Sequence, residues 1–467
     1  MSNTEPHDDV ATTVRRTTSG EVSAVAMVER SLARIVGLDA ELNAFSVVLA
    51  EEARAEAAER DEARERGEAP GPLHGVPVAV KQELDVAGTV TTFGGRANTT
   101  PAAEDAEVVR RLRAAGAVVV GKTTMPEFGA FPYTESEATG LTRNPWSPDH
   151  TPGGSSGGTA VAVATGMVPF GLGGDGGGSI RIPSACCGLF GLKPQRGRVT
   201  TAPHEHLWWS LGVVGPLTRT VLDSAVVHDV VRGNLPGDRW AAGETGSFVE
   251  AVRREPGRLR IGWSVRPVTR GVRPDPLHVA AVEETARLLA DLGHDVREVD
   301  PRYPDPTAAF VPQFFAGIRS EADTVEHYDR LERRTRQTCR MGAWVTPRVR
   351  DWALGQTENV SRKANRVFDQ VDVLLTPALA HRPPRAGLIT GRGTVRSSLA
   401  AVPAIAYAAL WNVAGNPAAA VPTGIAADGL PVAVQLVGRT DDEPTLLSLS
   451  AQLEAARPFP VWQARRP

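Results

Sequence analysis

The chain has 467 residues, 42% of them hydrophobic and 22% charged, enough for a large buried core built as one α/β domain or as two. Its 51 Lys and Arg nearly cancel its 54 Asp and Glu, for a net charge of −3, which leaves no electrostatic case for nucleic acid or an anionic membrane as partner. Cys186, Cys187 and Cys339, an odd count without ligand spacing, exclude a disulfide framework and a structural zinc site and point to a reducing compartment.

The first residues, Met1-Ser2-Asn3-Thr4-Glu5, lack a basic run followed by an apolar one, so no signal peptide is expected. Val25, Val28, Leu32 and Ile35 recur at helical spacing behind Ser23, a plausible N-cap. A charged, alanine-rich helix is expected from Glu51 to Arg66, stopped by Gly67, with its charges as a solvated face. Val76 to Val80 reads as a short strand ending at Lys81. A helix around Glu104 to Ala115, Gly116 and a strand Ala117 to Val120 follow. The same helix–Gly–strand unit recurs at Leu277 to Leu292, Gly293 and Val296 to Val299. Further strand-like runs lie at Leu259 to Trp263, Val371 to Leu375 and Val432 to Val437. Strands alternating with amphipathic helices predict an α/β fold on a largely parallel or mixed sheet. The segment from Pro301 to Asn365 is helical in pattern and without strands, and is read as a helical insertion or cap. Ala400 to Ala427 is apolar but broken by Pro403, Asn412, Asn416, Pro417 and Pro422, so it is no membrane span. A cytoplasmic, soluble protein is the expectation.

The informative stretch runs from Thr151 to Pro194 and reads TPGGSSGGTAVAVATGMVPFGLGGDGGGSIRIPSACCGLFGLKP. Gly171, Gly173 and Gly176 fit the G-x-G-x-x-G of dinucleotide-binding folds, but that motif needs a helix opening at the last glycine. Here Pro183 is expected to break any helix within two turns, and the reading fails. Gly153-Gly154-Ser155-Ser156-Gly157 fits G-x-S-x-G, with Ser155 as nucleophile and His204, His206, His294, His327 or His381 as base. A third reading needs no histidine. In the run Gly176, Gly177, Gly178, Ser179 the backbone N–H groups are able to turn inward and hold the negative oxygen of a tetrahedral intermediate. Ser179 is then placed to attack the carbonyl, and Lys81 at its strand end is a candidate base, provided that burial keeps it neutral.

These blocks resemble the amidase signature family over nearly the whole chain. The likeness is strongest from Gly153 to Pro194. It is supported by GVPVAVK at Gly75–Lys81, GKTTMPEF at Gly121–Phe128 and RNPW at Arg143–Trp146. DVLLTPA at Asp372–Ala378 and GNPAAAVPTG at Gly415–Gly424 complete it. The resemblance implies one amidase domain over residues 1–467, with a signature core near 75–225 and the helical cap near 301–365. It implies a mixed, twisted central sheet covered on both faces by helices. By the same resemblance Ser179 matches the nucleophile, Lys81 the terminal base, and Ser155 the bridging serine that follows a cis peptide bond. The N–H groups of Gly176, Gly177, Gly178 and Ser179 match the oxyanion hole, and Asp175 and Arg181 match positions that hold the loop. No metal and no cofactor are implied.

The chain departs from the family's pattern at Gly174, where a Thr commonly precedes the Asp, and at Gln82-Glu83, where Asp-Asn is frequent. Cys186-Cys187 replaces the commoner Phe-Cys. These departures argue mildly against the branch that serves as a glutamine-amidotransferase subunit on misacylated tRNA with partner chains. That branch stays open as an alternative, as does a carbamate or ester hydrolase of the same family. Phe128, Phe131, Tyr133, Trp208 and Trp209 flank the signature blocks and suit a hydrophobic or aryl acyl group, core packing being the competing account. A small amide is therefore the expected partner, with a symmetric dimer as the prior. His204-Glu205-His206 lacks H-E-x-x-H spacing and is expected in a loop at the pocket mouth.

Overall fold

The computed structural model of the protein describes residues 8–464; the N-terminal pentapeptide weighed for a signal peptide lies outside them. Among these residues the strands are β1 (Phe45–Val48), β2 (Pro77–Lys81), β3 (Val118–Thr123), β4 (Glu135–Ser136), β5 (Gly140–Leu141), β6 (Phe170–Gly174) and β7 (Phe190–Lys193). They continue as β8 (Val214–Thr218), β9 (Arg260–Trp263), β10 (Asp295–Glu298), β11 (Val373–Pro377), β12 (Ala418–Ile425) and β13 (Pro431–Gly438). One 11-stranded sheet has the order β1-β3-β2-β6-β8-β7-β12-β13-β11-β9-β10, and β4 and β5 pair only with each other. Its middle, from β6 to β11, is antiparallel. The pairs β3/β2, β2/β6, β11/β9 and β9/β10 on either side are parallel. This is the α/β fold with a mixed sheet that the strand and helix patterns predict.

Both faces of the sheet are covered, and a single strand shows why. In β2 every residue is buried, as a strand between two helical layers requires. Val78 and Val80 pack with Val109 and Leu112 on one side. Ala79, pointing to the opposite face, packs with Ala160 and Val163. The expected helices fall within a few residues of their predicted bounds, at Ala24–Leu42, Ala50–Glu65, Glu107–Ala114 and Pro276–Asp291. Ser23 does cap the first of these, its Oγ accepting from the Ala26 N–H at 3.0 Å.

Two expectations are corrected or sharpened. Pro183 does not prevent a helix: Arg181–Cys187 is helical, with Pro183 third in its first turn, where N–H groups have no intrahelical partner to lose. The apolar run from 400 to 427 is divided among the end of the helix Thr394–Ile405, the helix Ala409–Ala414 and β12. No helix among the described residues is long and apolar enough to cross a membrane. Residues 301–365 carry the helices Thr307–Ala322, Arg333–Met341 and Pro347–Ala364 and no strand.

Candidate active site

Alternation along β2 places Lys81 on the face of Ala79, beneath the helix Gly157–Ala164 that Ser155 and Ser156 introduce. That helix lies unusually close to β6. A Cβ on Gly171 would sit 2.6 Å from Thr159 Cγ2, and one on Gly173 2.7 Å from Ser156 Oγ. Gly171 and Gly173, two of the three glycines that imitate a dinucleotide motif, therefore serve helix–sheet packing, and the close approach brings the serine loop down to the end of β2.

There Lys81 Nζ donates to Ser155 Oγ at 2.9 Å. The Gly154–Ser155 peptide is cis. Lys81, Ser155 and Ser179 line one cavity, together with Phe128, Trp208 and the glycine loop. Lys81 is 1% exposed, Ser155 2% and Ser179 8%, so all three are almost out of contact with water. No histidine lines this cavity among the described residues. His294 bonds Gln452, His381 bonds the Arg273 carbonyl, and His206 stacks on Trp209 at 3.9 Å. The base that a G-x-S-x-G nucleophile needs is not in place.

Asp175 organises the loop. Its carboxylate accepts from the N–H groups of Gly178 (2.7 Å), Ile180 (3.2 Å) and Arg181 (3.4 Å). It also accepts from Arg181 Nε and Nη2 and from Asn412 Nδ2. Burial opposes its charge, but the Arg181 guanidinium and these hydrogen bonds hold the Asp175 carboxyl well below the usual carboxylate range. One expected oxyanion donor is already engaged in this arrangement. The Gly178 N–H donates to Asp175 Oδ1, and Gly178 itself sits at a φ of +127°. The N–H groups of Gly176, Gly177 and Ser179 have no acceptor within the described chain. At Gly178 a Cβ would also meet Ile182 Cδ1 at 2.6 Å, so glycine is required twice over.

The flanking aromatics divide. Phe128 and Trp208 line the cavity, each at positive φ, 53° and 49°, a conformation costing a bulky residue about 1–3 kcal/mol. Trp208 is held there edge-on against Phe314 at 5.3 Å. Phe131 and Tyr133 do not reach the cavity: they pack with Ile389 and Ala401, and Tyr133 Oη donates to the Ala400 carbonyl at 2.6 Å. Trp209 faces a different cleft with Glu205, His206 and Trp240, where it stacks on the His206 ring. His204 lies 3.9 Å from Asp85, and no cluster able to hold a metal is found among the described residues.

Five residues at or behind this site were outside the sequence-based set. Glu83 Oε1 lies 3.0 Å from Lys81 Nζ. Glu321, from the helix Thr307–Ala322, lines the same cavity, and burial, with Glu83 facing it and Lys81 opposing, pushes it up to about 8. Phe310 approaches Gly177, whose Cβ would lie 3.3 Å from Phe310 Cζ, and Phe314 backs Trp208. Gln313 from that helix accepts from Ser210 N and Oγ at 3.0 and 2.7 Å, which ties the 204–212 loop to it. Nothing in the helical periodicity of 301–365 marks which residues face the site.

A buried lysine–serine contact thus shares one cavity with a second serine and the glycine loop. Comparisons with known proteins place this site in a family. The Amidase family model matches residues 26–447. The protein AmiB2 of Mycobacterium tuberculosis is 49% identical over 460 residues, covering 98% of this chain and 97% of its own. The structure of 6-aminohexanoate cyclic dimer hydrolase superimposes with a TM-score of 0.91 at 31% identity, over 98% of both chains. That of a bacterial aryl acylamidase of the amidase signature family gives 0.88 at 28% identity, over 99% of both. The chain belongs to the amidase signature family and is a hydrolase of amide C–N bonds.

Proposed function

We propose that the protein hydrolyses a small hydrophobic or aryl carboxamide through an acyl-enzyme on Ser179. The observation that carries this reading is the 2.9 Å bond from Lys81 Nζ to Ser155 Oγ in the cavity that Ser179 also lines. Lys81 takes a proton through Ser155 from Ser179, whose Oγ attacks the carbonyl carbon. Charge collects on the carbonyl oxygen, opposite the N–H groups of Gly176, Gly177 and Ser179, three donors rather than four. The proton returns through Ser155 to the leaving nitrogen, the C–N bond breaks, and water activated by the same relay releases the acid.

The aryl preference is supported by Phe128 and Trp208 on the cavity wall, with Phe310 and Phe314 stacked behind at 6.3 Å. An aryl acylamidase among the structural relatives is consistent with it. Purified protein is expected to hydrolyse hydrophobic anilides and to leave free glutamine nearly untouched, with activity lost in Ser179→Ala. Ammonia release from glutamine with inert anilides would overturn the substrate assignment.

A further inference from the structure

Positions 83 and 174 are coupled by space. Gly174 ends β6 inside the cavity, and a Cβ there would lie 2.1 Å from Glu83 Oε1, far inside van der Waals contact. No side chain fits at 174 while the Glu83 carboxylate stays where it is. That carboxylate reaches back from the turn after β2 to 3.0 Å from Lys81 Nζ. The amine is thus gripped from two sides, by Ser155 Oγ at 2.9 Å and by Glu83. Oε1 itself is buried and makes no aligned hydrogen bond, so it stands beside Nζ with its acceptor capacity free.

Lys81, Glu83, Asp175 and Glu321 are the titratable groups on the cavity wall. Asp175 is neutralised by Arg181 at 2.9 Å. Glu321, pushed up to about 8 by burial with Glu83 adding to it, keeps its proton near neutrality. Lys81 therefore does not face two unpaired carboxylates at once.

We propose that Glu83, admitted by the missing side chain at Gly174, is a positioning residue that sets Lys81 Nζ on Ser155 and receives the ammonium formed during acylation. This rests on the reading of Lys81 as terminal base. The proton that leaves Ser179 Oγ as its bond to the acyl carbon forms ends on Nζ. No bond to Glu83 forms or breaks; the carboxylate supplies counter-charge at the moment the ammonium appears.

The test is steady-state kinetics on a hydrophobic anilide across pH, with Glu83→Gln, Glu83→Ala, Gly174→Ala and the double variant Glu83→Ala/Gly174→Ala. Glu83→Gln, nearly isosteric, is expected to lower kcat on the order of 10²-fold, the scale of a misplaced catalytic group, with KM little changed. The acid limb of its profile is expected to move to lower pH, because an ammonium at position 81 loses its partner. Gly174→Ala should cost as much as Glu83→Ala, and should cost nothing further in the Glu83→Ala background. Wild-type kcat and an unmoved acid limb in Glu83→Gln would overturn the proposal, as would additive losses in the double variant. If Gly174→Ala does not fold, the Glu83→Gln profile decides alone. An active Ser179→Ala would instead sink the underlying mechanism, whereas an inactive one beside a normal Glu83→Gln would sink only the role of Glu83.

Discussion

A single carboxylate shows how the site is held at the residue scale. Asp175 is fully enclosed with Arg181, at 0% and 1% side-chain exposure, and three loop N–H groups converge on it. Asp175→Asn keeps the shape but strands the guanidinium, and breaking a buried pair in this way costs about 3–5 kcal/mol. Urea unfolding at pH 7 should read that loss. Because the carboxyl is held below its usual range, its contribution is complete above the unfolded value of about 3.9 and is lost as pH falls through the folded one. The gap between wild type and variant should therefore narrow in acid. Ser155, Ser179 and Lys81 were legible as residues because their motifs are long and ordered. That Gly178 gives its N–H to Asp175 was not, since it depends on how one peptide turns. Gly174 and Glu83 were each visible as departures from the family's pattern. Only geometry joins them, as no spacing rule relates the end of one strand to the turn after another.

Elements explain what the glycine spacing is for. Alternate residues of β6 face opposite layers: Phe170 and Leu172 enter the core beside Val78 and Val80, while Gly171 and Gly173 receive the helix Gly157–Ala164. A methyl group at Gly171 would press on Thr159 Cγ2 at 2.6 Å and on the Ala79 carbonyl at 3.0 Å. Gly171→Ala is expected to destabilise by about 1–3 kcal/mol, as overpacking does, measurable as a lowered urea midpoint. It should also weaken catalysis, because Thr159 sits one turn beyond the serine loop. Element type and order were largely readable from periodicity, and Leu259 to Trp263 or Val432 to Val437 needed little more than their runs of apolar residues. The helix Arg181–Cys187 was missed because Pro183 was weighed as a breaker without regard to its place in a first turn.

The whole molecule brings distant segments to one cavity. β2 supplies Lys81, the loop before the helix Gly157–Ala164 supplies Ser155, the loop between β6 and the helix Arg181–Cys187 supplies Ser179, and the helix Thr307–Ala322 adds Glu321 and Phe310. This last contribution was illegible in sequence: residues 301–365 show helix, but a helical pattern does not say which neighbour each face meets. Phe131, Tyr133 and Trp209 illustrate the converse, aromatics near the motifs in sequence that the fold directs elsewhere. In the proposed reaction two serines separated by 24 positions divide the labour, one carrying the acyl group and one passing the proton. Peptide mapping by mass spectrometry, after quenching turnover of a slowly deacylating aryl substrate, addresses it directly. An acyl adduct is expected on Ser179, absent in Ser179→Ala and formed more slowly at the same residue in Ser155→Ala. An adduct on Ser155 would contradict it.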